Sequence, residues 1–569
     1  MATVNVLQPE ASNSFHYIIV GGGTAGCVIA SRLSEYLPNS RILLIEGGDT
    51  DQHDERISNL RRCLELIGGE LDYDYGVTEQ MRGNSFIRHS RAKILGGCSS
   101  HNGGISVETF EYDCRRFETL GCKGWSYATF KRLLGKLLLK RQPCHEIHHN
   151  ALVNDWIKAA STSLGIPAVE DFNKALDAQK NMSTGVGYVP IAYEHESGKR
   201  NSASTAYIHP ILQGEWKRPN LTILLNTWVS KINVSGNTVN GVNVTFQNGN
   251  KMSLQARKET ILCAGAIDTP RLMLLSGLGP REHLNAVGIP VTKDLPGVGE
   301  NLQDHIETMI TWELKRPAPE ETAMYSDAVL FLRREVENAR GLDKRVADLM
   351  FHIFTCNYDA NPDRRSNEAP PTNVFSMTPN VPRPMSRGRL YLTSSDPNVQ
   401  PALDFRYFTD PEGYDEATLV AGIKIARKVA QQAPFKDWIQ REIAPGPSVI
   451  TDKDLSAYGR QASCTIYHPT CTTKMGDVER DPFAVVDPQL KIRGLRKVRI
   501  ADAGVLPVIT TANPMLTVLA IGERAAEMIA EEAGYKKSEW TDSDSLENAV
   551  RAAGRIRTVA NLQVQSSKL

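Results

Sequence analysis

Two short stretches far apart in the chain carry residue types suited to moving a proton. Thr465-Ile466-Tyr467-His468-Pro469 presents a histidine, and Thr511-Ala512-Asn513-Pro514 presents a carboxamide. A histidine titrates near neutrality and suits general acid–base work, and an amide can hold an oxygen beside it. Asp304-His305-x-Glu307 adds carboxylates. A carboxylate in apolar surroundings is costly unless a cation joins it, so a buried Glu307 favours a cationic ligand, whereas a surface Glu307 is an ordinary solvated side chain. His352 stands in an aromatic-flanked run, Leu349-Met-Phe-His-Ile-Phe354.

The elements that would position such groups begin at the N-terminus, which carries a seat for a dinucleotide. Phe15–Val20 reads as a buried strand, and Gly21-x-Gly23-Thr24-Ala25-Gly26 follows at once. Gly21 allows a tight turn, Gly23 lets the backbone approach a pyrophosphate, and Gly26 permits close helix–strand packing. Thr24 and Ala25 open a helix whose free N–H groups attract phosphate. Arg41–Ile45 is a second strand, ending at Glu46, placed to bond ribose hydroxyls. The unit binds a dinucleotide but does not by itself separate FAD from NAD.

Arg91-Ala-Lys-Ile-Leu-Gly96-Gly97-Cys98-Ser99-Ser100-His101-Asn102-Gly103-Gly104 is rich in glycine and small hydroxyls, as a backbone wrapped around a flat cofactor would be. With the histidine and asparagine motifs, this loop resembles the glucose–methanol–choline (GMC) oxidoreductases, nearest their choline-oxidising members. The resemblance runs from about Phe15 to Ala530 and includes 264–277, 296–305 and 407–413. It implies an α/β fold: a discontinuous Rossmann-like FAD-binding domain with an inserted α+β substrate domain built on an antiparallel sheet.

The resemblance further implies bound FAD, tethered through its 8α-methyl to His101. Arg91, Gly97, Cys98, Ser100, Asn102 and Gly103 would contact it from the loop, and Val229, Ala264, Asp502, Ala503, Asn513 and Pro514 from elsewhere. His468 and Asn513 would face flavin N5, with His352 beside them. Glu307 would pair with a trimethylammonium group and Tyr467 would offer an aromatic face. The implied reaction is oxidation of a primary alcohol, choline to betaine aldehyde and on to glycine betaine, with O2 reduced to H2O2. Two cage tryptophans of such relatives align with Cys63 and Ser326; Tyr325, adjacent to the second, is a substitute for it, and Tyr73 lies near the first in sequence; Gly103 and Met515 also depart from the pattern. Amino, aryl or aliphatic alcohols, another electron acceptor, and a non-redox hydroxynitrile lyase therefore stay open.

Length and composition fit a chain of two or more structural units with a sizeable core. The chain has 569 residues, 41% hydrophobic, and Lys+Arg and Asp+Glu are both 65. No basic excess calls for nucleic acid, no apolar run is long enough for a membrane span, and ten scattered cysteines have no metal-site spacing. Cofactor-binding parts lie at the start, middle and end, so 1–160, 206–310 and 463–535 are assigned to the FAD domain and 161–205 and 311–462 to the substrate domain. The Pro-rich stretch 362–384 reads as loops, and beyond about Glu532 no core is expected. The final Ser567-Lys568-Leu569 on the tail 536–569 reads as a peroxisomal address, and import by its receptor is expected; otherwise the cytoplasm is expected. A homodimer is compatible with the sequence.

Overall fold

The computed structural model describes residues 3–4, 13–334, 343–356 and 373–535. The first of its two eight-stranded sheets grows from Ser14–Val20, buried along nearly its whole length, as a parallel strand covered on both faces must be. It pairs in parallel with Ile42–Ile45 on one side and with Lys251–Leu262 on the other. Leu221–Leu224 extends the sheet beyond Ile42–Ile45, and Thr3–Val4 lies outside that.

Lys251–Leu262 joins the pieces. Its first half pairs antiparallel with Thr238–Phe246, which folds back on Thr227–Ser235. Its last three residues pair in parallel with Val498–Ile500. The helices Thr24–Tyr36 and Met515–Glu532 pack together, and a buried fork locks them: Arg32 Nε donates to both Glu523 carboxylate oxygens at 3.1 and 3.0 Å, and Arg32 Nη2 to Oε1 at 3.0 Å.

The second sheet runs Ile439–Ala444, Ile310–Leu314, Val374–Asn380, Leu349–Phe354, Ala328–Leu332, Gly185–Tyr188, with Ile306–Thr308 and Ser463–Thr465 attached beside Val374–Asn380. Every pairing in it is antiparallel. Side chains alternate across a strand. Leu349, Phe351 and Ile353 therefore enter a core with Trp156 of the helix Ala151–Leu164 and Ile423 of the helix Tyr414–Ala430, while His352 and Phe354 turn to the cavity.

Three pieces assigned from motifs to the cofactor domain pack with this second body: most of the helix Ala151–Leu164, and the strands Ile306–Thr308 and Ser463–Thr465. Their strand pairing is long-range and leaves no local signal. The stretch 362–384 is not all loop either, since Val374–Asn380 is a central strand despite Pro379. On one side Pro379 pairs with Phe351; on the other it sits at the break between Ile306–Thr308 and Ile310–Leu314, where the missing N–H costs no ladder bond. Residues 536–569, with Ser567-Lys568-Leu569, lie outside the described residues, as do 362–372; the described chain ends with Tyr535 stacked on Tyr36.

Candidate functional site

A single cavity of about 350 Å³ runs from the glycine turn after the first strand to the cavity-facing side of the second sheet. At its first end the three glycines have separate reasons. Gly21 has φ +102°, and a Cβ there would meet Cys263 O at 2.5 Å; one on Gly26 would meet Gly21 O at 1.9 Å. At Gly23 a Cβ would meet nothing nearer than 3.8 Å, and no side chain caps the helix that starts after it. Uncapped N–H groups facing an open cavity fit a pyrophosphate. Glu46 accepts the N–H groups of Gly22 and Gly48, each at 2.8 Å, and burial pushes its carboxyl up to about 7. Trp228, Tyr73 and Arg271 also line this end, with the Arg271 guanidinium 5.4 Å over the Trp228 ring.

The glycine-rich loop crosses the middle of the cavity. A Cβ on Gly97 would meet Gly23 Cα at 2.7 Å, so the two glycine segments touch and form one floor. Thr24, Ala25, Arg91, Cys98, His101, Asn102, Gly103, Val229, Ala264, Asp502, Ala503 and Pro514 all line the cavity. Gly26 and Ser100 do not. Gly26 is spent on helix packing, and the Ser100 hydroxyl is turned away to Leu95 O, Ser204 and Asp51. The His101 ring is set between the Ser90 hydroxyl (3.4 Å from Nδ1) and Leu66 O (3.2 Å from Nε2), and burial lowers its pKa to about 4. The ring is thus held neutral, with Nε2–H donating to Leu66 O and the Nδ1 lone pair facing the Ser90 hydroxyl.

At the far end His468 and Asn513 come together, with Asn513 Nδ2 3.4 Å from His468 Nε2. His468 Nδ1 lies 2.9 Å from His305 Nδ1. His305 Nε2 is 3.0 Å from two carbonyl oxygens, those of Pro382 and Thr510, which only accept. The His305 proton therefore sits on Nε2, and its Nδ1 accepts from His468 Nδ1–H. That leaves His468 Nε2 as a lone pair beside the Asn513 amide. Burial lowers the pKa of His468 well below the ordinary histidine value and that of His305 to about 4, so both are neutral. A neutral base and an amide donor at one point can take a hydroxyl proton and steady its oxygen.

Glu307 faces the same end from the short strand Ile306–Thr308 and is 1% exposed, which excludes a solvated surface role. Its Oε1 accepts from Cys464 Sγ at 3.6 Å, and its Oε2 has no hydrogen-bond partner. Burial raises its pKa. His352 Nδ1 is 3.9 Å from Oε2, too far for a hydrogen bond, and His352 Nε2 has no partner either. Cys63, Met324, Ser326, Phe354, Ile466 and Tyr467 complete the wall. The two tyrosines near the replaced cage positions in sequence do not serve. Tyr325 is not on the wall, its ring facing the Arg61 guanidinium at 6.0 Å. Tyr73 is on the wall at the other end, edge-on to Trp228 at 5.9 Å. Phe354 joins Tyr467 as the second aromatic there, two residues from His352 on the same strand face.

The sequence did not mark His305, Asp304 or Tyr407 with a role, although each lies inside a matched stretch; their partners are carbonyls, N–H groups and rings far away along the chain. Met515 meets the loop directly, since Asn102 Nδ2 donates to its sulfur at 3.3 Å.

The profile of the family described as GMC oxidoreductase matches residues 15–307 with its N-terminal part and 384–522 with its C-terminal part. The chain is 37% identical over 541 residues to a choline oxidase of Arthrobacter globiformis, covering 92% of this chain and 96% of that one. It is 32% identical over 551 residues to an oxygen-dependent choline dehydrogenase of Staphylococcus xylosus, covering 91% and 95%. Among solved structures it is similar to pyridoxine 4-oxidase from Mesorbium loti, with TM-score 0.81, 25% identity and coverage of 90% and 98%. Likeness to these proteins and the cavity together make this chain an FAD-dependent enzyme that oxidises alcohols, and it belongs to the GMC oxidoreductases.

Proposed function

We propose that the protein oxidises a small cationic primary alcohol, choline first, and passes the electrons to O2. Choline and O2 give betaine aldehyde and H2O2; the hydrated aldehyde and a second O2 give glycine betaine and H2O2. Bound FAD supplies the hydride acceptor. The alcohol's ammonium group sits against Glu307, with the faces of Tyr467 and Phe354 beside it. His468 Nε2 takes the hydroxyl proton, and Asn513 and His352 hold the oxygen. The observation that carries this reading is Glu307: a buried carboxylate with one oxygen that has no hydrogen-bond partner, in one cavity with the unprotonated Nε2 of His468. Oxygen uptake and peroxide formation with choline and with betaine aldehyde test it. Uptake only with aryl or aliphatic alcohols contradicts the choline assignment, and aldehyde formed without peroxide contradicts O2 as acceptor.

A second reading concerns the head group. Cys63 and Ser326 leave fewer aromatic faces for a quaternary ammonium, and each such face contributes about 0.5–2 kcal/mol. A less methylated amino alcohol would lose little by this. Comparing kcat/KM along the series from choline to ethanolamine separates the two.

The neutral His101 ring in the flavin-loop wall supports a covalent histidyl link to FAD. Acid-precipitated protein should then stay yellow, with the flavin on the peptide that contains His101; colour in the supernatant contradicts it. The terminal Ser567-Lys568-Leu569 supports peroxisomal import, where peroxide is removed. Fluorescent fusions with and without that tripeptide test this.

A further inference from the structure

Behind His468 runs a buried polar chain that the proposed reaction does not use. Asp304 is 3% exposed. Its Oδ1 accepts the backbone N–H of His468 at 2.9 Å, and its Oδ2 accepts the Tyr407 hydroxyl at 2.8 Å. The Tyr407 oxygen lies 3.1 Å from His89 Nε2. Because the Tyr407 proton is committed to Asp304, the next bond must come from His89 Nε2–H. The rings are also fixed by stacking: His89 on Phe405 at 4.2 Å and 8°, and Phe405 on Tyr407 at 5.0 Å and 1°.

The peptide unit that Asp304 grips is held at its other end too. The carbonyl of Tyr467 accepts from Arg91 Nη2, and the N–H on that same peptide is the one that Asp304 binds. Tyr467 has φ +65°, a region that a tyrosine enters only against a steric cost. A peptide plane held at both polar atoms fixes the ψ of Tyr467 and the φ of His468, and with them the direction of the His468 ring. The segment that supplies Arg91 and His89 also supplies Ser90, whose hydroxyl meets His101 Nδ1.

We infer that Asp304 is a positioning residue for His468. With Arg91 it clamps the Tyr467–His468 peptide, while Tyr407 and His89 hold the Asp304 carboxylate in turn. The inference rests on His468 as the base that takes the hydroxyl proton. Misplacement of a catalytic group by about 1 Å can lower a rate about 100-fold.

The test uses the full-length FAD-loaded enzyme and the Tyr407→Phe, Asp304→Asn and Asp304→Ala variants, mixed anaerobically with choline or any alcohol that reduces the wild type. Tyr407→Phe keeps the ring stack and removes only the hydroxyl. The expected result is a flavin-reduction rate constant lowered about 10- to 100-fold, with substrate Kd and flavin content within about twofold of wild type. Asp304→Asn, which keeps a carbonyl toward the His468 N–H, should lose less than Asp304→Ala. Exchange of the His468 amide proton should quicken at least tenfold in Asp304→Ala. If Asp304→Ala does not fold, Tyr407→Phe and Asp304→Asn decide. Rate constants equal to wild type in both overturn the inference, as does a loss in which Kd rises and flavin content falls in step with the rate. A wild-type flavin that no alcohol reduces contradicts His468 as the base, and this inference with it; a wild type that is reduced while the variants keep its rate contradicts this inference alone.

Discussion

At the scale of single residues, His468 owes its unprotonated Nε2 to two carbonyls it does not touch. Pro382 O and Thr510 O fix the proton of His305, and His305 fixes that of His468. His305→Ala should therefore slow flavin reduction about tenfold at constant flavin content, since one of the two His468 tautomers is then no longer favoured. Glu307→Gln should lower kcat/KM for choline about 30-fold or more, the equivalent of about 2 kcal/mol for a buried charge pair that loses one partner. The uncharged isostere 3,3-dimethylbutan-1-ol should be nearly unaffected. The pH profile follows in sign. The Glu307 pKa is raised above its ordinary 4.5, so the carboxylate is lost as pH falls through that raised value. For choline, kcat/KM should fall on that acid limb, and Glu307→Gln should lack the limb. His468, Asn513 and Glu307 were legible in the sequence because each sits in a short motif. The burial of Glu307, the tautomer set through His305 and the absence of Tyr325 from the wall were not, because they depend on neighbours far along the chain.

Among elements, the opening strand–turn–helix–strand was readable because its logic is local: a buried run, three glycines and an acid. Gly26→Ala should abolish FAD retention, measured as flavin per chain after gel filtration, because a Cβ there overlaps Gly21 O at 1.9 Å. The second sheet was less readable. Val374–Asn380 contains a proline and sits next to residues outside the described chain, yet it forms the centre of the sheet because a break in the neighbouring strand absorbs the missing donor. The helices Thr24–Tyr36 and Met515–Glu532 meet through Arg32 and Glu523, 491 residues apart. Arg32→Met should destabilise the protein by about 3–5 kcal/mol, because Glu523 is then left buried without a cation. Denaturant midpoints at constant m-value would measure this, and a change under about 1 kcal/mol would contradict it.

For the whole molecule, the cavity lies where the two bodies meet. The parallel sheet brings the glycine turn, Glu46 and the His101 loop; the antiparallel sheet brings Glu307, His352 and Phe354. His468 and Asn513 come from the late segments that close between them. Under the proposed function, a chain with zero net charge attracts its cationic substrate through one buried carboxylate, Glu307, not through a surface field. The most direct measurement is single-turnover flavin reduction under anaerobic conditions, with choline, in wild type and in His468→Gln. The flavin of the wild type should bleach, and that of His468→Gln should bleach about 100-fold more slowly or worse at equal flavin content, as expected for loss of a general base. A wild-type flavin that stays oxidised with choline, or equal rates in the two proteins, would contradict the account.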